Sequence, residues 1–144
     1  MSQVNQITPN AAFELLKNDS QSAIIDVRTF EEFASIGIIA ADQFDNRMIL
    51  LPWQLAPEMK INQEFDKNLD LETKKLFGSK NQEAKIIFIC RSGARSTQAA
   101  LKAQANGYKN CYNLINGFEG DADEFSQRGK INGWKAQSLP WRMK

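Results

Sequence analysis

The apolar positions divide the chain into short strands alternating with amphipathic helices. Thr8 followed by Pro9 reads as a helix cap with proline at the first helical position. "NAAFELLKN" continues that helix with Phe13, Leu15 and Leu16 on one face. "SAIIDV", residues 22–27, is a β-branched strand candidate between polar flanks. "TFEEFASIG" predicts a short helix capped by Thr29 and stopped by Gly37, and "IIAADQF", residues 38–44, predicts a further short strand.

Residues 45–84 are the least regular. "ILLPWQLAP" is apolar but broken by Pro52 and Pro57, so it reads as a loop-rich segment. "NQEFDKNLDLETKKLFG" has helical spacing at Phe65, Leu69, Leu76 and Phe77, with Gly78 as a stop. "KIIFIC" is apolar without alternation, as expected of a strand covered on both faces in a parallel sheet. "TQAALKAQANG" predicts a helix ending at Gly107, and "NCYNLI" another strand. The glycine-rich tail carries Trp134 and Trp141, expected as packed anchors. Strands alternating with helices define an α/β fold: a central, mostly parallel sheet with helices on both faces, in three layers. One domain over residues 1–144 is expected.

Composition narrows the chemistry mainly by exclusion. With 18 basic and 17 acidic residues, the net charge is +1 and gives no electrostatic reason to expect a nucleic-acid or membrane partner. No stretch approaches the length of an apolar membrane span, and the N-terminus lacks a signal-like apolar core, so cytoplasmic residence is the expectation. The chain has no histidine, which removes Ser-His and Cys-His catalysis and any imidazole-dependent metal or haem site. Two cysteines make neither a disulfide framework nor a structural zinc site. No metal or cofactor is called for.

The chemistry concentrates in "CRSGARS", residues 90–96. Cys90 ends a central strand, and a tight turn leads from it into a helix. Open α/β sheets place ligand sites at the carboxyl ends of their strands. Unpaired N–H groups and the helix dipole make that turn attractive to anions. Gly93 lets the backbone curl into a concave nest of N–H groups, Arg91 and Arg95 add positive charge, and Ser96 can cap the helix or donate to the sulfur. In such surroundings a cysteine is expected to be a thiolate, activated without histidine. Cys111 opens a strand parallel to the one ending at Cys90. Five residues of strand put the two about 16 Å apart, beyond the roughly 7 Å a disulfide tolerates, so Cys111 reads as a core residue.

These motifs resemble the rhodanese-like sulfurtransferases. "IIDVRTFEEF" (24–33) is similar to the family's first signature, "CRSGARS" to its active-site loop, "YNLINGFEG" (112–120) to the segment after its last strand, and "NGWKAQSLPWR" to the tail of bacterial single-domain members. The resemblance implies a rhodanese-like three-layer fold and a Cys90 nucleophile. It places the transferred sulfur and the donor anion in the loop of Arg91, Ser92, Gly93, Ala94, Arg95 and Ser96. It also implies a bracing role for Asp26 and Arg28. The implied partners are a small-molecule sulfur donor and a thiol or protein acceptor. Two departures are visible: Gly37-Ile38-Ile39 stands where many members have Gly-His-Ile, and Asn116-Gly117 where a glycine pair is common. The segment 45–84 is longer than in minimal members, and is expected to shape the pocket mouth through Trp53 or Met59.

Two other readings compete. A cysteine-dependent phosphatase or arsenate reductase would use similar electrostatics, but such loops place five residues between cysteine and arginine. Here four separate Cys90 from Arg95, and Asp121 and Asp123 are the available general acids. A persulfide carrier without independent turnover is the third reading.

Overall fold

The computed structural model describes residues 4–144. Five strands form the main sheet: β1 (Asn5–Ile7), β2 (Ser22–Asp26), β4 (Met48–Leu50), β7 (Lys85–Ile89) and β8 (Asn110–Leu114). Two short strand pairs stand apart from it, namely β3 (Ile38–Ile39) with β9 (Trp141–Arg142), and β5 (Gln54–Leu55) with β6 (Lys60–Ile61). The helices are α1 (Pro9–Asn18), α2 (Phe30–Ile36), α3 (Phe65–Phe77) and α4 (Ala94–Ala105).

The sheet order is β1-β8-β7-β2-β4, with every pairing parallel. All five residues of β2 and the last four of β7 are buried, because helices cover both faces of the strands that bear them. Ile25, Ile86, Phe88 and Cys111 face one side, against Phe65 and Leu69 of α3 and the alanines of α4. Ile24, Ile87, Ile89 and Leu114 face the other, against Phe13 and Leu16 of α1 together with Phe44, Phe118 and Trp134. These are the three layers expected from the sequence. Among the described residues no helix is long and apolar enough to cross a membrane.

β2 is where the direction of strand addition reverses. The next sheet strand, β4, lies on one side of β2, and the following one, β7, lies on the other. A crevice opens at the carboxyl ends of strands at such a reversal. Thr29, the residue just before α2, and Gly93, the residue just before α4, both lie there.

Several elements differ from expectation. Only Ile38–Ile39 of the segment 38–44 is strand, and Asp42–Phe44 is a 3-10 turn. The apolar segment read as a loop begins with the last two residues of β4, an edge strand of the main sheet, because Pro52 lies just past its end. The polar N-terminus supplies β1, which pairs with β8 at the opposite edge. α4 begins at Ala94, three residues before the "TQAALKAQANG" segment, so part of the candidate loop is its first turn. Trp134 is fully buried, whereas Trp141 is 42% exposed, set edge-on to Phe118 and covered by the Lys135 ammonium 3.8 Å from its ring. Trp53 packs into the core edge-on to Phe65 with centroids 5.0 Å apart, and Met59 is exposed between β5 and β6.

Candidate active site

β7 delivers Cys90 to the carboxyl edge of the sheet, where the residue is only 1% exposed. Two groups meet its sulfur. The backbone N–H of Gly93 donates to Sγ at 3.1 Å, and the Ser96 hydroxyl lies 3.2 Å from it. The first contact requires the chain to curl back within three residues, and Gly93 does this at φ +124°, a conformation that side-chain-bearing residues rarely adopt. Ser96 does not cap α4. Its hydroxyl also contacts the Gly93 carbonyl at 3.2 Å and Asn113 Oδ1 at 2.5 Å, while Thr97 donates to that same carbonyl at 2.7 Å.

The loop's two arginines have different surroundings. Arg91 is exposed and pairs with no carboxylate among the described residues. Arg95 is half-buried, and its two terminal nitrogens meet the two Glu32 oxygens at 2.6 and 3.0 Å. The sequence reading gave both arginines to the anion. In the structure the Arg95 fork closes on a carboxylate of α2, so it ties the loop to the neighbouring strand–helix turn. Glu32 is itself fixed by a capping box, accepting from the Thr29 N–H at 3.1 Å. Burial pushes the Glu32 carboxyl up, but Arg95 and the Thr29 N–H outweigh it and hold the group below its ordinary value.

Asp26 and Arg28 form a fully buried ion pair at 2.7 Å. Arg28 Nη2 also donates to the Gly37 carbonyl at 2.7 Å, and its guanidinium lies 4.2 Å from the centre of the Phe118 ring. Its Nη1 has no hydrogen-bond partner among the described residues. Burial raises the Asp26 carboxyl, and the Arg28 hydrogen bonds offset only part of that. The pair reaches the site through Phe118, whose N–H donates to the Cys90 carbonyl at 2.8 Å.

The segment after β8 closes the other side. The Glu119 and Gly120 N–H groups both donate to the Arg91 carbonyl, at 3.0 and 3.1 Å. Gly117 passes so close that a Cβ there would fall 2.5 Å from the Cys90 carbonyl oxygen. Ser92 is half-buried in the turn and Ala94 is exposed at the start of α4. Asp123 is engaged in its own turn, accepting from the Phe125 and Gln127 N–H groups at 2.8 Å each. The Gln127 N–H bond, joined by that of Phe125, holds its carboxyl below the usual range, a poor setting for a general acid. Cys111 is fully buried, and burial pushes its thiol up to about 12.

Glu32, Asn113, Gly117 and Phe118 were not singled out from the sequence as site residues. The Thr-x-x-Glu spacing from Thr29 marks Glu32 as a capping residue, but nothing local reports its second partner.

A parallel sheet with a cysteine-bearing turn at its switch point, leading directly into a helix, defines a class of α/β proteins. More narrowly, the family description "Rhodanese-like domain" matches residues 8–124, and the chain belongs to that family. An uncharacterized Rickettsia rickettsii protein is 37% identical over 140 residues, covering 96% of this chain and 98% of the relative. The crystal structure of Rv0390 from M. tuberculosis is similar over 99% of this chain and 100% of that one, with 30% identity and a TM-score of 0.83. The polysulfide-sulfur transferase homodimer of Wolinella succinogenes shares the fold at 18% identity and a TM-score of 0.62, over 96% of this chain and 78% of that one.

Proposed function

We propose that this protein is a sulfurtransferase working through a persulfide on Cys90. The Cys90 thiolate attacks the outer sulfur of a donor such as thiosulfate. The donor's S–S bond breaks, and sulfite leaves with the bonding electrons. A thiophilic acceptor then attacks the outer sulfur of the persulfide. Cyanide would give thiocyanate, a small or protein thiol would give a new persulfide, and either restores the Cys90 thiolate. This is covalent, two-step catalysis with ping-pong kinetics.

The observation that carries the reading is the tight curl at Cys90, with the Gly93 N–H 3.1 Å from Sγ across a loop of four residues between Cys90 and Arg95. A backbone donor aimed at the sulfur favours negative charge there, and so compact a loop suits one added sulfur atom better than a phosphoryl group. Arg91, exposed and without a carboxylate partner among the described residues, stands ready for the donor's anionic end, while Arg95 holds the loop in shape through Glu32.

Intact mass after incubation with thiosulfate tests the proposal. A gain of one sulfur atom, absent in Cys90→Ser and discharged by cyanide, is the expected result. Turnover of an aryl phosphate without any sulfur adduct would overturn it in favour of a phosphatase. An adduct that no added acceptor discharges catalytically would leave only a carrier.

A further inference from the structure

β8 places Cys111 and Asn113 on the face of the sheet that packs against α4. Cys111 is a core residue there, but Asn113 is a polar side chain only 5% exposed, in a position where an aliphatic residue would pack. Its contacts show what occupies it. Asn113 Oδ1 lies 2.5 Å from Ser96 Oγ, and its Nδ2 donates to Gln6 Oε1 at 2.8 Å. Gln6 is its cross-strand partner in the β1–β8 register. Gln6, Asn113, Ser96 and Cys90 therefore form a continuous polar chain, from an exposed edge strand to the buried sulfur.

The hydroxyl of Ser96 has one hydrogen and three acceptors around it: Asn113 Oδ1 at 2.5 Å, the Gly93 carbonyl at 3.2 Å and Cys90 Sγ at 3.2 Å. Two oxygens 2.5 Å apart must share a hydrogen. The amide oxygen brings none, so it belongs to Ser96. Gln6 fixes the amide that way round by accepting from Nδ2. With its hydrogen on Asn113, Ser96 presents lone pairs to the sulfur. The 3.2 Å contact is then favourable when the sulfur carries a proton and repulsive when it does not.

We propose that Asn113, held by Gln6, is a positioning residue that competes with Cys90 for the single hydrogen of Ser96 and so restrains thiolate formation in the resting site. When Cys90 loses its proton to solvent, the Ser96 hydrogen must turn from Asn113 to sulfur for the thiolate to be satisfied. A persulfide carries its charge mainly on the outer sulfur, so the loaded enzyme lets Ser96 return to Asn113. The pair therefore favours the loaded state over the bare thiolate. The charged groups around the sulfur are engaged elsewhere or exposed. Arg95 is paired with Glu32 of α2, Asp26 is paired with Arg28 beyond β2, and Arg91 points to solvent. They stay constant when Asn113 is changed.

The inference rests on Cys90 being the reactive thiol of the proposed function, but its test does not use sulfur transfer. The rate of Cys90 alkylation by iodoacetamide is followed against pH in the native protein, by mass spectrometry of the Cys90 peptide. The Cys111 peptide serves as the buried control. Asn113→Leu, similar in volume and unable to accept, should move the half-maximal pH down by about half a unit or more, since a hydrogen bond to a charged group is freed. Asn113→Asp should move it up. Gln6→Ala, at an exposed position where folding is not at risk, should move it down by less, by freeing the amide to turn over. In a Ser96→Ala background the Asn113→Leu and Gln6→Ala shifts should vanish, whereas the carboxylate of Asn113→Asp still acts on the sulfur directly. An unchanged or raised midpoint in both Asn113→Leu and Gln6→Ala, or shifts in these two variants that persist without the Ser96 hydroxyl, would overturn the proposal. A failed sulfur-loading experiment beside these shifts would count against the proposed function alone.

Discussion

Glu32 holds Arg95 with both carboxylate oxygens, at 2.6 and 3.0 Å, and so joins α2 to the first turn of α4 across the site. The bond is short, charge-assisted and largely shielded, with the two side chains 18% and 21% exposed. Its loss should be felt both in stability and in the loop. A carboxylate held below its unfolded value contributes stability above that value and loses it as pH falls through the folded one. For Glu32 that loss begins below 4.5. Glu32→Gln should destabilise the protein by about 1–3 kcal/mol at pH 7, and the deficit should shrink towards pH 3. Urea denaturation of both proteins across that range checks this, and a deficit independent of pH would show that the ion pair is not its source.

Arg91 offers the contrast. Its side chain is exposed, while its carbonyl accepts from Glu119 and Gly120. Arg91→Ala keeps that backbone bonding and removes only a charge. Thermal stability should remain within about 0.5 kcal/mol of wild type. KM for thiosulfate should rise several-fold, more at low than at high ionic strength, because exposed charges act through a salt-screened field. Arg95→Ala should instead lower stability and kcat together. Steady-state kinetics at two salt concentrations, beside melting curves, separate the two arginines.

Two glycines with nearly the same φ should respond differently to alanine. Gly78 has φ +64° and ψ −144° with nothing within 4 Å of an added Cβ, so Gly78→Ala should cost only a backbone conformation that glycine alone adopts readily, about 1–3 kcal/mol. Gly117 has φ +65°, but its Cβ would lie 2.5 Å from the Cys90 oxygen and 2.6 Å from the Arg91 carbonyl group. Backbone must move there, and it is the backbone of the site. Gly117→Ala should cost at least about 2 kcal/mol more than Gly78→Ala and slow Cys90 alkylation, both measurable on the same preparations.

The sequence was most legible where a single local rule decided the outcome. Thr8 and Thr29 cap their helices as their spacing implies, and the unbroken apolar run before Cys90 is the central strand. The turn at Cys90 was readable because glycine, arginine and a strand end occur within six residues. Edge elements were not legible. Asn5–Ile7 and Met48–Leu50 are three residues each, and they are strands only because β8 and β2 supply hydrogen-bond partners from far along the chain. The same limit hid Glu32 and Asn113, which lie 63 and 17 residues from the side chains they engage. Residue type showed which side chains have chemistry to offer. Only tertiary placement showed which of them were already engaged, as with Arg95.

The Asp26–Arg28 pair gives the sharpest separation between folding and function. Both side chains are fully buried, and burial raises Asp26 even with Arg28 beside it, so the pair is costly in isolation. Removing one member leaves the other charge without compensation, and Asp26→Asn should destabilise the protein by about 3–5 kcal/mol. Replacing both by apolar residues of similar volume, Asp26→Leu with Arg28→Met, removes both desolvation costs and should recover most of that loss. What it should not recover is the site. Arg28 alone ties the Gly37 carbonyl to the face of Phe118, and the Phe118 N–H is what holds the Cys90 carbonyl. The double variant is therefore expected to fold, yet alkylate Cys90 and accept sulfur from thiosulfate at least several-fold more slowly. Chemical denaturation and loading rates measured together decide the point. A double variant with wild-type loading would mean that the pair serves folding alone.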